Sequence, residues 1–453
     1  MSAPPRSVRP NVTGVTEALD GYLAHHGENS HRPPLRYLRR KPGRGLVAVF
    51  GPGDGGDIYT VTVAEASLAG DSGEGNAPAP AVQQFPTDPL LPDLDVVMAP
   101  AEHPSLRAVL ERTARQAAAL PADWALVDVA AQPVRYKPGD RCVLRYRLRF
   151  ADPTAPGGRA DAARTCTLIA KLYRESPEAQ VAADLLSRLH EGAGASWTAR
   201  SLGVAPGLSL ALAEDLGGSR DVVPTRSGLD VVHPGAEEAV DVVRSAARAL
   251  AELHTCGLET RTLSRRTGED EAGKAAKRAR LLERYVPELA GEIRQVAAAL
   301  CATLAGLPDH TMRPGHGSYK PSQLLVRDGA VFLVDFDQFC LTDPALDVGY
   351  FLAYLRPAGL WYRRAGRRAW FEAAAGAFLS TYLQRLAERG ESAQTRAGIA
   401  GRAPVFEAAL LVKIAARRAN RLHSPRPGEV AAVLDEVSRS LACARVGGLT
   451  PPG

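Results

Sequence analysis

The chain has 453 residues, which at roughly 150 residues per domain leaves room for about three domains. Hydrophobic residues make up 45% and charged residues 23%, ordinary values for a globular chain that exclude wholesale disorder. The net charge of +5 is too small and too dispersed to argue for a nucleic-acid partner, and no apolar run approaches the ~20 residues of a membrane span.

Residues 1–34 are polar and proline-rich, with a short helical pattern at 16–24, and lack the apolar core of a signal peptide. Strand patterns follow at 45–50 and 58–63, then a Gly/Ala/Pro loop at 69–81. Gly51, Gly53 and Gly56 match G-x-G-x-x-G, but a dinucleotide site needs a helix next and an alternating strand follows, so a hairpin loop is expected. A helical period spans 106–120, and a domain boundary is placed near 119. Residues 120–215 read as strands plus one helix. A strand at 134–136 leads through the turn Lys137-Pro138-Gly139-Asp140 into 142–150, which alternates with arginine outward. A Pro/Gly/Asp-rich loop at 152–164 precedes a short apolar strand at 166–172 carrying Lys171, a helix at 177–190 with Pro177 in its first turn, and a strand at 208–213. From about 235 the chain turns helical. Val240, Val243, Ala247, Leu250 and His254 share one face, with Gly257 as the stop. Further helices are expected at 271–304, 344–355, 367–389, 403–422 and 428–444. The run Glu269-Asp270-Glu271 reads as a solvated charged face. Six scattered cysteines without C-x-x-C spacing read as small buried residues in a reducing compartment, and a cytoplasmic location is expected.

Chemistry concentrates in residues 315–350, GHGSYKPSQLLVRDGAVFLVDFDQFCLTDPALDVGY. Asp328-Gly329 is a strong two-residue hairpin signal. Counting outward pairs Arg327 with Ala330, Val326 with Val331, Leu324 with Leu333 and Gln323 with Val334. The amide of Gln323 and the carboxylate of Asp335 then emerge side by side at the open end of the hairpin. Two oxygen donors at one point suit Mg²⁺, which takes few protein ligands and keeps water and phosphate oxygens.

The layout H-x-x-x-K-P-x-Q followed by Asp-Phe-Asp matches a kinase catalytic loop and metal-binding aspartate. The segment resembles the aminoglycoside phosphotransferase and small-molecule kinase family, with its HGD-x-x-x-x-N loop. The resemblance extends to 135–146, to Lys171, to ARALAELHTCGL at 247–258 and to the D-P-A-x-D element at 343–347. It covers roughly 120–445, and the extra N-terminal part is similar in placement to the cap of maltokinases. It implies an α+β, protein-kinase-like, two-lobed fold: a β-containing cap at 1–119, a β-rich N-lobe at 120–215 and a helical C-lobe at 216–453. Lys171 would bind the nucleotide's phosphates, held by a carboxylate on the next helix, with Asp184 the first candidate and Glu178 the second. Ala213, Glu214 and Asp215 would form the hinge at the adenine. Asp335 and Gln323 would chelate Mg²⁺, and maltokinases also resemble this chain in carrying Gln there. His316 would fix the loop, Lys320 would stabilise γ-phosphate charge, and Asp343 and Asp347 would support the loop.

One position departs from the family. Ser318 stands where the family carries the aspartate that accepts the proton of the attacking hydroxyl, and a serine hydroxyl cannot be that base near neutral pH. A general base typically contributes ~10²–10⁴-fold, so its loss is large without touching nucleotide or metal binding. Asp337 is a candidate substitute. Two expectations follow. One is an ATP- or GTP- and Mg²⁺-dependent phosphotransferase acting on a hydroxyl of a small molecule such as a sugar or aminoglycoside, with neither nucleic acid nor membrane as partner. The other is a pseudokinase that holds nucleotide or ligand without efficient transfer. Neither the acceptor nor the oligomeric state is readable. Lysine is scarce, with seven against 48 arginines, so the placement of Lys171 and Lys320 carries information.

Overall fold

The computed structural model describes residues 12–27, 32–41, 45–51, 57–65, 78–152, 163–194, 196–217, 220–221, 223–225, 228–230, 236–259, 261–308, 312–356, 365–419 and 427–446. Gly53, Gly56 and most of the loops expected at 69–81 and 152–164 lie outside the described residues.

Three large apolar cores divide the described residues, with a small fourth cluster of Ala199, Leu216 and Phe332. The first belongs to helix α1 (Thr13–His25), which lays Val15, Leu19 and Leu23 on a four-stranded antiparallel sheet. Its strands are β1 (Leu35–Lys41), β2 (Gly45–Phe50), β3 (Tyr59–Val63) and β4 (Ala81–Gln84). Their inner residues include Leu46, Ala48, Phe50 and Val61. Phe50 pairs with Tyr59 across the glycine segment, so strand meets strand there, as expected of a hairpin.

The second core forms the β-rich lobe. Strands β5 (Ala125–Lys137), β6 (Arg141–Ala151), β7 (Ala163–Leu172), β8 (Ser201–Val204) and β9 (Leu210–Glu214) make a five-stranded sheet in the order β5-β6-β7-β9-β8. Along β6 the residues Cys142, Leu144, Tyr146, Leu148 and Phe150 are fully buried, while the arginines between them point outward. This period-2 pattern pins the register, because a one-residue slip would expose the whole row. Helices α2 (Leu94–Met98) and α3 (Pro104–Ala117) cover this row with Leu94, Val97, Leu106 and Leu110. The expected boundary at 119 therefore falls inside one core, and the two cores part near Phe85. Helix α4 (Ser176–Leu189) packs Ala179 and Ala183 inward.

Three hydrogen bonds hold the turn between β5 and β6, and one of them comes from the first unit. Asp88, which is buried, accepts the Tyr136 hydroxyl at 2.8 Å and the Gly139 N–H at 2.7 Å. Lys41 Nζ donates to the Pro138 carbonyl at 2.8 Å.

The third core is the helical lobe. It begins, after short strands β10 (Arg220–Asp221), β11 (Val223–Thr225) and β12 (Gly228–Asp230), with α5 (Ala236–His254). Strand β13 (Arg265–Arg266) leads into α6 (Gly268–Tyr285) and α7 (Ala290–Ala305). The helix expected over 271–304 is thus two helices. Pro287 lacks an N–H and starts a single 3₁₀ turn that separates them. Strands β14 (Arg313–Gly315), β15 (Leu324–Arg327), β16 (Ala330–Leu333) and β17 (Cys340–Thr342) carry the site. Helices α8 (Pro344–Leu355), α9 (Ala365–Glu388), α10 (Ala393–Ala419) and α11 (Pro427–Val446) complete the lobe. Helix α10 begins well before the expected start at 403 and tolerates Pro404 inside it.

In the charged run at 269–271, Glu269 and Asp270 are exposed as expected and Glu271 is not. Asp270 closes a capping box with Thr267. Glu271 is fully buried, held by Arg266 at 2.7 Å and Lys274 at 2.7 Å, so it is not the solvated group the sequence suggests. All six cysteines are free thiols. Among the described residues no helix is long and apolar enough to cross a membrane.

Candidate active site

The hairpin β15–β16 has the register counted from its turn: Arg327 faces Ala330, Val326 faces Val331 and Leu324 faces Leu333. Asp328 and Gly329 take φ of 52° and 75°, as a two-residue turn between twisted strands requires. The Val334 N–H donates to the Gln323 carbonyl at 3.0 Å. At the open end, Gln323 Nε2 donates to Asp335 Oδ2 at 3.0 Å. Asp335 itself has φ 67°, a left-handed backbone that aspartate tolerates better than most residues.

The loop before this hairpin hangs from one buried carboxylate. Asp347 is fully buried on α8 and accepts the His316 N–H at 2.6 Å and the Tyr319 N–H at 3.4 Å. His254, on α5, supports it from behind at 3.3 Å and in turn meets the Tyr382 hydroxyl at 2.7 Å. Burial alone would raise the Asp347 carboxyl, but the His254 hydrogen bond and charge and the loop N–H groups hold it below the usual range. His316 Nε2 lies 3.1 Å from the Val334 carbonyl, and burial keeps this imidazole below its ordinary pKa. Asp343 accepts the Ala345 N–H at 2.9 Å and Arg402 Nε at 2.5 Å, capping α8. Gly317 has φ 69°, and a Cβ there would lie 2.0 Å from the Gln338 carbonyl oxygen, so only glycine fits.

Ser318 is buried between these groups. Its Oγ donates to Gln323 Oε1 at 3.2 Å and lies 3.5 Å from His316 Nδ1. Lys320 is half-buried with its Nζ 5.8 Å from the centre of the Tyr354 ring.

Lys171, from β7, reaches across to the helical lobe. Its Nζ donates to Asp335 Oδ1 at 2.9 Å and to Asp337 Oδ1 at 2.5 Å. Arg141, at the start of β6, pairs with Asp337 and approaches Asp335 at 3.4 Å. The Tyr173 hydroxyl adds a bond to Asp337 at 3.1 Å. Burial pulls Lys171 down to about 8 against the opposing charge of Asp335. Asp335 would be raised by burial, but Lys171 and Arg141 hold it far below the carboxylate range, so it stays anionic.

The carboxylate expected on the next helix is not there. Asp184 is exposed and accepts Gln180 Nε2 at 2.7 Å, and Glu178 is also exposed, because α4 turns alanines toward the sheet. Asp337 meets Lys171 instead. Its oxygens are taken up by Lys171, Arg141 and Tyr173, which leaves it poorly placed as a substitute base. Arg141, Tyr173 and Asp337 are the participants missed in this role. A signal existed for Arg141: β6 and β7 pair Val143 with Lys171, and alternation puts Arg141 on that same face. At the end of β9, Glu214 accepts the Arg200 N–H at 3.3 Å, and Asp215 accepts Arg145 Nε at 2.8 Å. Both side chains are engaged within the lobe, so a contact to a base at this hinge would fall to backbone groups.

The donor set fits one hard cation. Among the described residues no three His, Cys, Asp or Glu side chains gather as a metal cage. One anionic carboxylate beside one amide is the sparse set that suits Mg²⁺ with phosphate oxygens and water. A half-turn of the Gln323 amide would bring Oε1 beside Asp335. A polar cleft of about 280 Å³, lined by Arg266, Asp270, Lys274, Asp337 and Gln338 among others, adjoins this point.

No curated protein matches the chain. Among solved structures, a glucosamine kinase shares 18% identity over 91% of this chain and 95% of its own, with a TM-score of 0.47. An amicoumacin kinase in complex with AMP-PNP and Ca²⁺ shares 15% over 75% and 96%, with a TM-score of 0.46. Choline kinase from Cryptosporidium parvum Iowa II shares 8% over 76% and 96%, with a TM-score of 0.45. The family model described as phosphotransferase enzyme family matches residues 145–391, more than half of the chain. The match takes in Lys171, the loop at 316–323 and Asp335, and on it the chain belongs to the phosphotransferase enzyme family.

Proposed function

We propose that the protein transfers the γ-phosphoryl group of a nucleoside triphosphate, ATP in the first instance, to a hydroxyl of a small molecule. The observation that carries this reading is the meeting of Lys171 from the β-rich lobe with Asp335 and Gln323 from the helical lobe, all within hydrogen-bond distance. Lys171 and Arg141 would bind phosphate oxygens. Asp335 and Gln323 would hold Mg²⁺, which when bound offsets charge on the β- and γ-phosphates. Lys320 would face the γ-phosphate. The acceptor oxygen forms the new bond to γ-phosphorus as the bond to the β-phosphate oxygen breaks, and the acceptor's proton leaves to water or to the phosphoryl product. Asp343 and Asp347 would take no chemical part, since their oxygens are spent on the backbone, His254 and Arg402.

Ser318 favours a second reading, nucleotide binding without efficient transfer. One experiment separates the two. Mg-ATP and Mg-ADP should raise the melting temperature, by about 2.7 kcal/mol of stability at 100 times Kd, and EDTA should cancel the rise. Steady turnover of ATP with an alcohol acceptor, abolished by Asp335→Ala, establishes the kinase. A nucleotide-dependent shift with no turnover on any alcohol tested establishes the second reading. No shift with either nucleotide defeats both.

A further inference from the structure

We propose that the acceptor carries an anionic group, a phosphate or a carboxylate, seated on Arg417 beside the Tyr354 hydroxyl, with Lys320 shared between it and the γ-phosphate. The inference rests on the kinase reading above and names the substrate class of that site.

Tyr350 and Tyr354 lie one turn apart on α8 with parallel rings, 6.2 Å between centres and 4° between planes. Cations surround this pair. Lys413 Nζ lies 4.3 Å from the Tyr350 centre and Arg266 lies 5.6 Å from it. Lys320 sits over Tyr354, and Arg417 Nη1 donates to the Tyr354 hydroxyl at 3.3 Å. Arg278 joins from α6, with a buried Nη1 that has no hydrogen-bond partner. The carboxylate that acts on Arg278 and Lys413 is Glu271, and its ion pairs go to Arg266 and Lys274. Among the described residues no carboxylate pairs with Lys320, Lys413, Arg278 or Arg417.

Aromatic faces offset only part of this crowding. Burial lowers Lys320 to about 8, with Asp335 opposing and Arg417 adding to the shift. What the array lacks is an anion. Lys320 is two residues from Ser318 and within the field of Asp335, while Lys320 and Arg417 are both half-exposed. An anionic group held on Arg417 leaves the rest of a small molecule to extend toward Ser318. The same field repels an acceptor bearing several ammonium groups, so aminoglycosides fit this protein poorly.

The test uses the full chain with a magnesium-loaded, non-hydrolysable ATP analogue present, so that the nucleotide's phosphate positions, the γ position included, are filled. Thermal shifts are titrated with inorganic phosphate, gluconate, glucose 6-phosphate, glucose and glucosamine. The expected result is stabilisation by at least one of the three anions and by neither glucose nor glucosamine. Arg417→Gln should weaken that response at least ~10-fold, or about 1.4 kcal/mol, and Arg417→Lys should retain part of it. Three results overturn the inference: a response to glucose or glucosamine without one to any anion, no response to any anion at about ten millimolar, or an anion response that Arg417→Gln leaves unchanged. If the analogue itself gives no shift, the kinase reading fails separately. The anion response and its dependence on Arg417 still decide the inference.

Discussion

At position 318 a hydroxyl occupies a buried niche already built for a polar group, with Gln323 Oε1 at 3.2 Å and His316 Nδ1 at 3.5 Å. None of the loop's own support runs through it, because Asp347 carries the backbone. Ser318→Asp should therefore keep the fold and raise kcat, by as much as ~10²–10⁴-fold if proton removal limits the rate. A fixed acceptor, compared by kcat and by nucleotide Kd, checks this, since Kd should stay put. An unchanged kcat would show that positioning already sets the rate. Gly317 is less forgiving. Alanine there meets a backbone oxygen that cannot swing away and also takes a left-handed φ, which alone costs roughly 1–2 kcal/mol. Gly317→Ala should lower the melting temperature by several degrees and abolish turnover.

Among elements, the β5–β6 turn is held from outside its own hairpin. Asp88 accepts two donors from it, and removing a buried acceptor leaves each donor short by about 1–3 kcal/mol. Asp88→Ala should loosen the turn that carries Arg141. The signature is a raised KM for the nucleotide with a smaller change in kcat, and a stopped-flow measurement should place the loss in nucleotide dissociation. The hairpin at 324–333 shows how far local chemistry reaches in the sequence. Asp-Gly names the turn, the turn names the register, and the register names the meeting of Gln323 with Asp335. Helix α4 shows where such reasoning stops. Which side of a helix faces a sheet depends on packing around Ala179 and Ala183, and small residues give no strong period, so the sequence does not reveal that Asp184 faces outward. Arg266, Glu271 and Lys274 fail to show for a related reason: a buried ion pair looks in sequence like a solvated one.

On the scale of the whole molecule, one buried acid makes a contribution to stability that is lost as pH rises toward neutrality, against an opposing gain from the buried His316. Glu407 is buried on α10 beside Arg356, which also meets Glu436 at 3.0 Å and Glu372 at 2.9 Å. Burial raises Glu407 to about 7, with Arg356 opposing and the two other glutamates adding. At this site the folded state then binds more protons than the unfolded state between about pH 4.5 and pH 7, so the Glu407 contribution declines with rising pH across that window. Glu407→Gln should remove this contribution, as denaturant midpoints at about pH 5 and pH 8 would report. The number of cores was within reach of length alone. The boundary between the first two was not, because helices α2 and α3 serve the second sheet although they precede it. Lys171, Arg141, Asp335 and Asp337 finally bear on how a nucleotide would enter. Two cations from one lobe and two anions from the other already neutralise one another. Binding a magnesium-laden triphosphate is then a double displacement, in which each ion trades one counter-ion for another. The electrostatic gain is the difference between two paired arrangements, so nucleotide affinity should respond to added salt far less than four clustered charges suggest.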